Sequence, residues 1–375
     1  MALALFQRRR GRAVAPAGRI LPLGLIAVGL LAAAPGRSAS HLAAEPRPRE
    51  PAADVRETTT ATARAYWGAF MNGDPTYVHY FGGTWQNAPW DARTWQTFEA
   101  NAGKRVSIVH WGMAPPWQRP FADYRSTFEL VRRAGALNGV SMSTGSVRLR
   151  RIARGRYDRS LRTWLRRAAR WGYPFFLRLN AEMNGPWEPY APGRNGNTAT
   201  DFIRMWRHFH NLADRAGATN ITWVWCPNVD PWRMFTPYAR LFPGRAYVDW
   251  TCLDGYNQDG FQTFAWLFGS SYARLLRLAP RKPVMIAETA SVEGGVGKAA
   301  WITDALANQL PNRFPRVKAV LWFNWRIYER GRWWEWPIES SASAQTAFRN
   351  AIASPYYVPG GSFANLRRGS KIRPP

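Results

Sequence analysis

Two glutamates that stand where apolar runs end are the residues of this sequence best suited to chemistry. Glu182 follows residues 179–181, and Glu288 follows Ile286 and Ala287. Hydrolysis of a glycosidic bond needs two carboxyl groups, because a protonated acid serves the leaving oxygen while an ionised carboxylate acts on the anomeric carbon. A glutamate after a strand is also a common salt-bridge partner, but no Arg or Lys stands next to either residue. We therefore take Glu182 and Glu288 as the candidate catalytic pair.

The elements that must position this pair follow from a repeated alternation of short β-branched or aromatic runs with longer helical patterns. Strands are predicted at residues 77–81, 105–110, 139–143, 174–180, 221–226, 247–253, 283–287 and 319–323. Helices are predicted at 121–134, 159–171, 200–216, 261–278 and 298–310, with a closing helix at 346–353. This order predicts an α/β chain folded as a (β/α)8 TIM barrel with a single catalytic domain. A doubly wound open sheet is the alternative architecture.

In such a barrel the reactive groups lie at the carboxyl ends of the strands. Glu182 ends the fourth predicted strand and Glu288 the seventh, so the two side chains are expected to face each other across the barrel mouth. A separation of about 5 Å between the carboxyl groups would give retention of configuration, whereas roughly 6.5–9.5 Å would leave room for water and give inversion.

Several ordered blocks of the sequence resemble one known family. Residues 178–187, from Arg178 through Glu182 to Trp187, resemble the acid/base segment of glycoside hydrolase family 26, a β-mannanase family of the retaining (β/α)8 superfamily. Further blocks resemble its fifth to eighth strands, at residues 217–228, 242–257, 282–289 and 320–324. The resemblance covers about residues 66 to 348.

The resemblance implies a role for each of four residues. Glu182 would be the acid/base and Glu288 the nucleophile. Tyr256 would hydrogen-bond to the nucleophile, and Trp322 would stack beneath the sugar at the cleavage point; ordinary core packing is the other explanation for both aromatic residues. Asp254 could tune the site or be structural.

Other residues are expected to contact substrate. Trp187 and Trp111 follow predicted strands and are expected to line the cleft. Asn180 is a further candidate contact, although its side chain should point to the opposite strand face from Ala181 unless a bulge turns it. Five more tryptophans could line the cleft or cap the barrel: Trp85, Trp325, Trp333, Trp334 and Trp336.

One residue departs from the family pattern. The family usually has His directly before its acid/base, where this sequence has Ala181. A methyl group cannot hydrogen-bond to the sugar or to the opposing carboxylate. Ala181 therefore favours, as the alternative function, a non-catalytic polysaccharide-binding barrel.

These observations predict an exported, retaining endo-β-glycanase that hydrolyses a β-linked polysaccharide by a two-glutamate double displacement. β-Mannan is the favoured substrate, followed by β-glucan or β-xylan. An enzyme that trims an exopolysaccharide would use the same mechanism.

The charge of the chain is strongly positive, at +27 from 51 basic and 24 acidic residues. The arginines are spread along the whole chain without a dense basic stripe or a nucleic-acid motif, so no nucleic-acid partner is expected. The same charge leaves weak association with an anionic cell wall open. The polysaccharide substrate is the expected partner, and the chain is expected to act as a monomer.

Neither a metal centre nor a disulfide framework is predicted. Five histidines without metal-ligand spacing indicate no metal, and no other cofactor is expected. Cys226 and Cys252 are predicted to lie on consecutive strands, either as buried thiols or as one bridge, and buried thiols are favoured.

The first residues have the order basic, apolar, small, which is typical of an export signal. We assign residues 1–40 to this signal, which predicts secretion after cleavage or a membrane anchor if it is retained. A disordered linker is predicted at 41–62, the hydrolase domain at 63–354, and a frayed polar tail at 355–375.

Overall fold

The computed structural model describes residues 64–72, 88–329 and 331–375. The predicted export signal, the linker, Trp85 and the strand predicted at 77–81 lie outside the described residues. In the described part, no helix is both long and apolar enough to cross a membrane.

Eight parallel strands close into a barrel. They are β1 (Ala65–Met71), β2 (Ile108–Met113), β3 (Leu137–Met142), β4 (Phe175–Leu179), β5 (Ile221–Trp225), β6 (Trp250–Asn257), β7 (Val284–Ser291) and β8 (Val317–Asn324). Each strand pairs in parallel with the next, and β1 pairs with β8 from Tyr66–Ala319 to Met71–Asn324. This closure confirms the (β/α)8 prediction and excludes the open sheet.

Helices cover the outside of the barrel. They are α1 (Ala92–Ala102), α2 (Phe121–Arg133), α3 (Leu149–Ala153), α4 (Asp158–Trp171), α5 (Ala199–Arg215), α6 (Phe264–Leu278), α7 (Lys298–Ile302), α8 (Leu310–Arg313) and α9 (Ala342–Ala353). A π-helical segment, Thr303–Gln309, joins α7 to α8. After β8, the strands β9 (Arg326–Glu329) and β10 (Arg332–Glu335) form an antiparallel hairpin.

Local sequence explains where these helices begin and end. At the start of α5, Thr198 and Asp201 form a capping box, in which each side chain accepts from the other residue's backbone N–H. Gly172 ends α4 with φ 78°, a left-handed conformation that favours glycine. The buried face of α4 presents Leu161 and Trp164 to the core.

Side chains on the barrel strands alternate between two apolar layers. One layer lies between the strands and the helices, and the other fills the barrel interior with residues such as Phe176, Trp250 and Leu321. Successive residues of a strand point to opposite faces, so the residues on either side of an inward-pointing residue point outward to the helices. This alternation decides which predicted site residues can reach the barrel mouth.

The carboxyl-terminal segment packs against the barrel, so the prediction of a frayed tail from Pro355 is wrong. β11 (Tyr357–Val358) pairs in parallel with β1. Ile372 is buried in the interior layer, and its carbonyl accepts from Trp250 Nε1 at 3.1 Å. The segment is polar on average, but these apolar side chains close the amino-terminal end of the barrel.

The two cysteines lie on or next to neighbouring strands, as predicted, but they are joined. Cys226 follows β5 directly, Cys252 lies in β6, and a disulfide connects them inside the barrel. The favoured prediction of free thiols is therefore wrong. The strands run side by side here, so both side chains point into the same interior layer.

Candidate active site

The two candidate glutamates converge inside the barrel mouth, together with a third carboxyl group. Oxygen atoms of Glu182, Asp254 and Glu288 all lie within 4.8 Å of one another. All three residues are buried. The sequence predicted that Glu182 and Glu288 would face each other, and the structure places them in this arrangement.

A strand irregularity turns Glu288 into the barrel. Met285 and Ala287 belong to the interior layer, so strict alternation would point Glu288 outward. The pairing register shifts here, since Ile286 pairs with Leu253 whereas Glu288 pairs with Asp254. One extra residue on β7 reverses the alternation, as a β-bulge does, and aims the carboxylate inward.

Two donors hold the Glu288 carboxylate. Tyr256 Oη donates to Oε2 at 2.5 Å, and Arg178 Nη2 donates to Oε1. Tyr256 lies in the same interior row of β6 as Trp250 and Cys252, which explains why its hydroxyl reaches the nucleophile candidate. This is the contact that the family resemblance implied for Tyr256.

Glu182 lies in the tight turn that follows β4. Its φ is 54°, an uncommon left-handed value for a residue with a side chain. Trp187 Nε1 donates to Oε2 at 2.6 Å, and Asn228 Nδ2 donates to Oε1 at 2.7 Å. Gly185 makes this turn possible, because a Cβ there would lie 2.3 Å from the Trp187 ring.

Arg178 is a site residue that the sequence analysis did not identify. It lies on β4 and is buried, and its Nη1 donates to both oxygens of Asp254, at 2.8 and 2.7 Å. Its Nε donates to Ser141 Oγ at 2.8 Å, and Ser141 lies 2.7 Å from His110 Nε2. Its inward position on β4, with the same parity as the interior residue Phe176, was the available signal.

Electrostatics separates the roles of the carboxyl groups. Burial alone would lower the pKa of Arg178, but Asp254 and Glu288 raise it above its usual value, so the guanidinium stays cationic. Burial, and then the negative charge of Glu288, raises the pKa of Glu182 to about 7. Burial also raises the pKa of Asp254 well above its usual value, although the charge of Arg178 opposes this rise. Glu182 is therefore poised to hold a proton near neutral pH, beside one permanent cation.

A further acid near the site, Glu188, was also missed. It is buried beside Tyr190, and burial, then the charge of Glu182, raises its pKa to about 8. Asn228 was missed as well, although it ends the block at residues 217–228 that resembles the family's fifth strand. Glu188 and Asn228 could be identified as site residues only from knowledge of which loops fold back over Glu182.

Trp322 and Trp111 do not reach the barrel mouth, so their predicted contacts with substrate are wrong. Leu321 points into the barrel, so Trp322 points outward, where it packs on Phe348 and Trp301. Trp111 is likewise directed to the helix layer, and its Nε1 donates to Asn138 Oδ1 at 3.1 Å. The prediction placed both tryptophans on the strand face that points into the barrel, whereas they lie on the face that points to the helices.

Asn180 is also misassigned as a substrate contact, because its side chain is buried and both ends of its amide bond to Thr144. Its Oδ1 accepts from Thr144 N at 2.8 Å, and its Nδ2 donates to Thr144 Oγ1 at 2.9 Å. With φ 48°, it links the loops after β3 and β4 and supports the turn that carries Glu182. Trp187, in contrast, is half-buried and touches Glu182 directly.

Aromatic rings surround Tyr256 on the β8 side of the site. Phe323 lies 5.5 Å from Tyr256, edge to face, and stacks on Phe70 at 5.5 Å. Trp325 is partly exposed beside both phenylalanines, at 5.8 and 5.9 Å. These inward residues, rather than Trp322, offer apolar faces near Glu288.

The other tryptophans considered from the sequence lie after β8. Trp334 and Trp336 are buried and stack on each other, whereas Trp333 is exposed on β10.

The grouping of Glu182, Asp254 and Glu288 could also suit a cation. Each carboxyl group, however, already accepts from Arg178, or from Trp187 and Asn228. The permanent charge of Arg178 already neutralises part of the negative charge that would attract a metal ion. The donor set therefore fits acid/base chemistry better than metal binding.

Comparisons with known proteins agree with this geometry. The sequence profile described as glycosyl hydrolase family 26 matches residues 143–309. Endoglucanase H of Acetivibrio thermocellus is 30% identical over 285 residues, which cover 72% of this chain and 30% of that protein. Beta-1,3-xylanase TXYA of Vibrio sp is 28% identical over 193 residues, covering 50% of this chain and 37% of that protein. The chain thus spans about a third of the length of these curated relatives.

Solved structures show the same fold. The catalytic domain of a Bacillus sp. JAMB-750 GH26 endo-beta-1,4-mannanase superposes with a TM-score of 0.58 at 18% identity, covering 84% of this chain and 92% of that one. A Cellulomonas fimi endo-beta-1,4-mannanase double mutant gives a TM-score of 0.56 at 19% identity, covering 74% of this chain and 70% of that one. The profile match, the curated relatives and the closed barrel all make this chain similar to glycosyl hydrolase family 26.

Proposed function

We propose that this chain is a retaining endo-β-glycanase in which Glu182 is the acid/base and Glu288 the nucleophile. The observation that carries the proposal is the short separation of the two carboxyl groups, whose nearest oxygens lie within 4.8 Å. Retaining enzymes place their carboxyl groups about 5–5.5 Å apart, whereas inverting enzymes leave a gap of about 6.5–9.5 Å for water.

In the first step, Glu182 gives its proton to the leaving glycosidic oxygen while Glu288 attacks the anomeric carbon and forms a glycosyl-enzyme ester. Tyr256 and Arg178 donate to the two oxygens of Glu288 and orient it for attack. In the second step, Glu182 accepts a proton from water, which attacks the anomeric carbon and releases Glu288. The raised pKa of Glu182 suits a group that must donate and then accept a proton.

Azide rescue with a 2,4-dinitrophenyl β-glycoside tests both assignments. Glu288→Ala plus azide should give the α-glycosyl azide, because azide attacks from the side that the nucleophile occupied. Glu182→Ala plus azide should give the β-glycosyl azide, because the glycosyl-enzyme still forms. The same anomer from both variants would reject these roles, and a wild type inactive on every polysaccharide would favour the non-catalytic binding barrel.

The sugar is a finer part of the proposal. β-Mannan stays the first candidate because the sequence blocks resemble a β-mannanase family. β-Glucan is the second, because a relative 30% identical to this chain is named an endoglucanase. Release of reducing sugar from β-1,4-mannan, carboxymethyl cellulose, mixed-linkage β-glucan, β-1,3-xylan and β-1,4-xylan ranks the candidates.

Ala181 bears on this specificity, because it stands where the family usually has His. It is buried next to Glu182 in the interior layer. Ala181→His adds a ring that can hydrogen-bond near the reacting sugar. We therefore expect the ratio of kcat/KM between β-1,4-mannan and mixed-linkage β-glucan to change by about tenfold, which is the effect of one hydrogen bond to a sugar hydroxyl. Unchanged kinetics across the panel would exclude a sugar contact at this position.

Export, monomeric state and weak cell-wall association complete the proposal. Export depends on the order of residue types in the first 40 residues. Wall association depends on the net charge of +27, and retention on cells that is lost with added salt would support it, since salt screens exposed charges. Sedimentation of the purified protein tests the monomer.

A further inference from the structure

Two exposed tryptophans lie against each other, Trp232 on the loop after β5 and Trp266 in the first turn of α6. Trp232 is 66% exposed and Trp266 is 40% exposed, and their ring centroids are 5.4 Å apart at 69°. Large apolar side chains that meet on a surface usually have a binding role, because leaving both in water is unfavourable. Neither residue takes part in the chemistry described above.

The loop that carries Trp232 is held rigidly. The buried Asp230 side chain accepts from the backbone N–H groups of Met234 and Phe235, at 2.8 and 3.3 Å. Arg274 donates to the Asp230 carbonyl, and the backbone N–H of Asp230 donates to Ser271 Oγ at 3.0 Å. An exposed ring on a pinned loop loses little conformational entropy when it binds a ligand.

Trp266 is equally fixed, because it lies in the first turn of α6. Its backbone N–H donates to the capping residue, Thr263, at 3.1 Å. Both rings are therefore presented from defined positions rather than from free loops.

The same loop leads to the catalytic acid. Phe235 lies 5.0 Å from Trp187, whose indole donates to Glu182. Thr236 N donates to the Asn184 carbonyl at 3.1 Å, which joins the loop after β5 to the turn after β4. The loop that carries Trp232 therefore contacts the turn that carries Glu182.

We propose that Trp232 and Trp266 form a distal subsite, which binds a sugar ring of the same polysaccharide at a distance from the cleaved bond. This inference rests on the proposed function. An indole face matches the C–H face of a pyranose, and a second ring set across it limits where that sugar can lie. Two rings are far smaller than the roughly 800 Å² per partner of a stable protein interface, which argues against a protein partner.

The test compares Trp232→Ala, Trp266→Ala and the double variant with Leu130→Ala. Leu130 is a matched control, since it is an exposed apolar residue, at 47%, on α2. The probes are the panel polysaccharide hydrolysed fastest and the 2,4-dinitrophenyl glycoside of its disaccharide, which is too short to span both sites.

We expect KM for the polymer to rise about tenfold in the double variant, while kcat and the short-substrate kinetics stay unchanged, as does the control. Equal losses on both probes, or no loss on either, would overturn the subsite. An altered oligomeric state with unchanged polymer kinetics would assign the pair to contacts between copies of the chain and also overturn it. Failure of the proposed function is distinct, because the wild type would then hydrolyse neither probe.

Discussion

At the scale of single residues, one buried cation organises three carboxyl groups. Arg178 donates to Asp254 and Glu288, and Glu182 lies within reach of both acids. With all three acids ionised the group would carry a net charge of −2, and a proton on Glu182 reduces this to −1. The buried guanidinium partly offsets this negative charge, and it opposes the rise that burial causes in the pKa of both Glu182 and Asp254.

Removal of this cation gives the first prediction. Arg178→Met should destabilise the protein by about 3–5 kcal/mol, because two buried carboxylates lose their partner, and should lower kcat at least a hundredfold. Adding Asp254→Asn should restore part of the stability but not the activity, since Glu288 still lacks its donor. Chemical denaturation and kcat together measure both effects, and full activity of Arg178→Met would contradict the role of the arginine.

The pH dependence of activity is also decided at this scale. Glu182 must be protonated to donate, so with its pKa at about 7 we expect kcat/KM to fall as pH rises through neutrality. The Trp187 indole donates to the Glu182 carboxylate and thereby lowers its pKa. Trp187→Phe should therefore move the alkaline limb to higher pH, with kcat at pH 5.5 reduced less than about tenfold.

Asn228→Ala provides an independent check of this effect, because Asn228 Nδ2 donates to the other oxygen of Glu182. It should move the limb in the same direction. A limb that stays in place in both variants would show that Glu182 is not the titrating group.

At the scale of elements, the order of the strands could be predicted from the sequence. Which side chains of each strand point into the barrel could not. Apolar runs separated by helical patterns located seven of the barrel strands, because burial on both faces requires such runs. Such runs carry apolar residues on both faces of the strand, so their pattern does not show which of these residues face inward. Trp322 and Trp111 were misplaced for this reason, and the bulge that turns Glu288 inward leaves no mark in the sequence.

Contacts between elements were the other limit. The partners of Arg178 lie 76 and 110 residues away along the chain, and only the closed barrel brings them together. The roles of Glu182, Glu288 and Tyr256 could be anticipated because each lies within a short segment that resembles the family. Asn228 and Glu188 act through the folding of loops over the site, which local patterns do not specify.

The turn after β4 is an element whose shape depends on one glycine. A Cβ at Gly185 would overlap the Trp187 ring, so Gly185→Ala should displace the indole from Glu182. We expect kcat to fall about tenfold or more, because the indole no longer donates to Glu182, and the free energy of unfolding to fall by about 1–3 kcal/mol, because residues 181–185 are buried and closely packed. Gly269→Ala is the control: Gly269 lies in α6, a Cβ added there would have no neighbouring atom within 4 Å, and kcat should stay unchanged.

At the scale of the whole molecule, the two ends of the barrel have separate tasks. The carboxyl ends of the strands hold the candidate chemistry, and the amino ends are closed by residues 355–375. Tyr66 Oη donates to the Arg373 carbonyl at 3.0 Å, and Ile372 N donates to Thr222 Oγ1 at 2.8 Å. This division predicts that changes in the tail affect stability without affecting the reaction.

Ile372→Ala tests that division, because Ile372 packs into the interior layer at the amino-terminal end of the barrel. Loss of a buried isoleucine side chain costs about 2–5 kcal/mol, so the Tm should fall by about 5 °C or more while kcat at 25 °C is unchanged. Lys371→Ala is the matched control: its partly exposed ion pair with Asp249 contributes little, and its Tm should stay within about 1 °C of the wild type. Deletion of 355–375 should be more severe than either, since the interior would open to water at the amino end. A wild-type Tm for Ile372→Ala would show that the barrel closes without this segment.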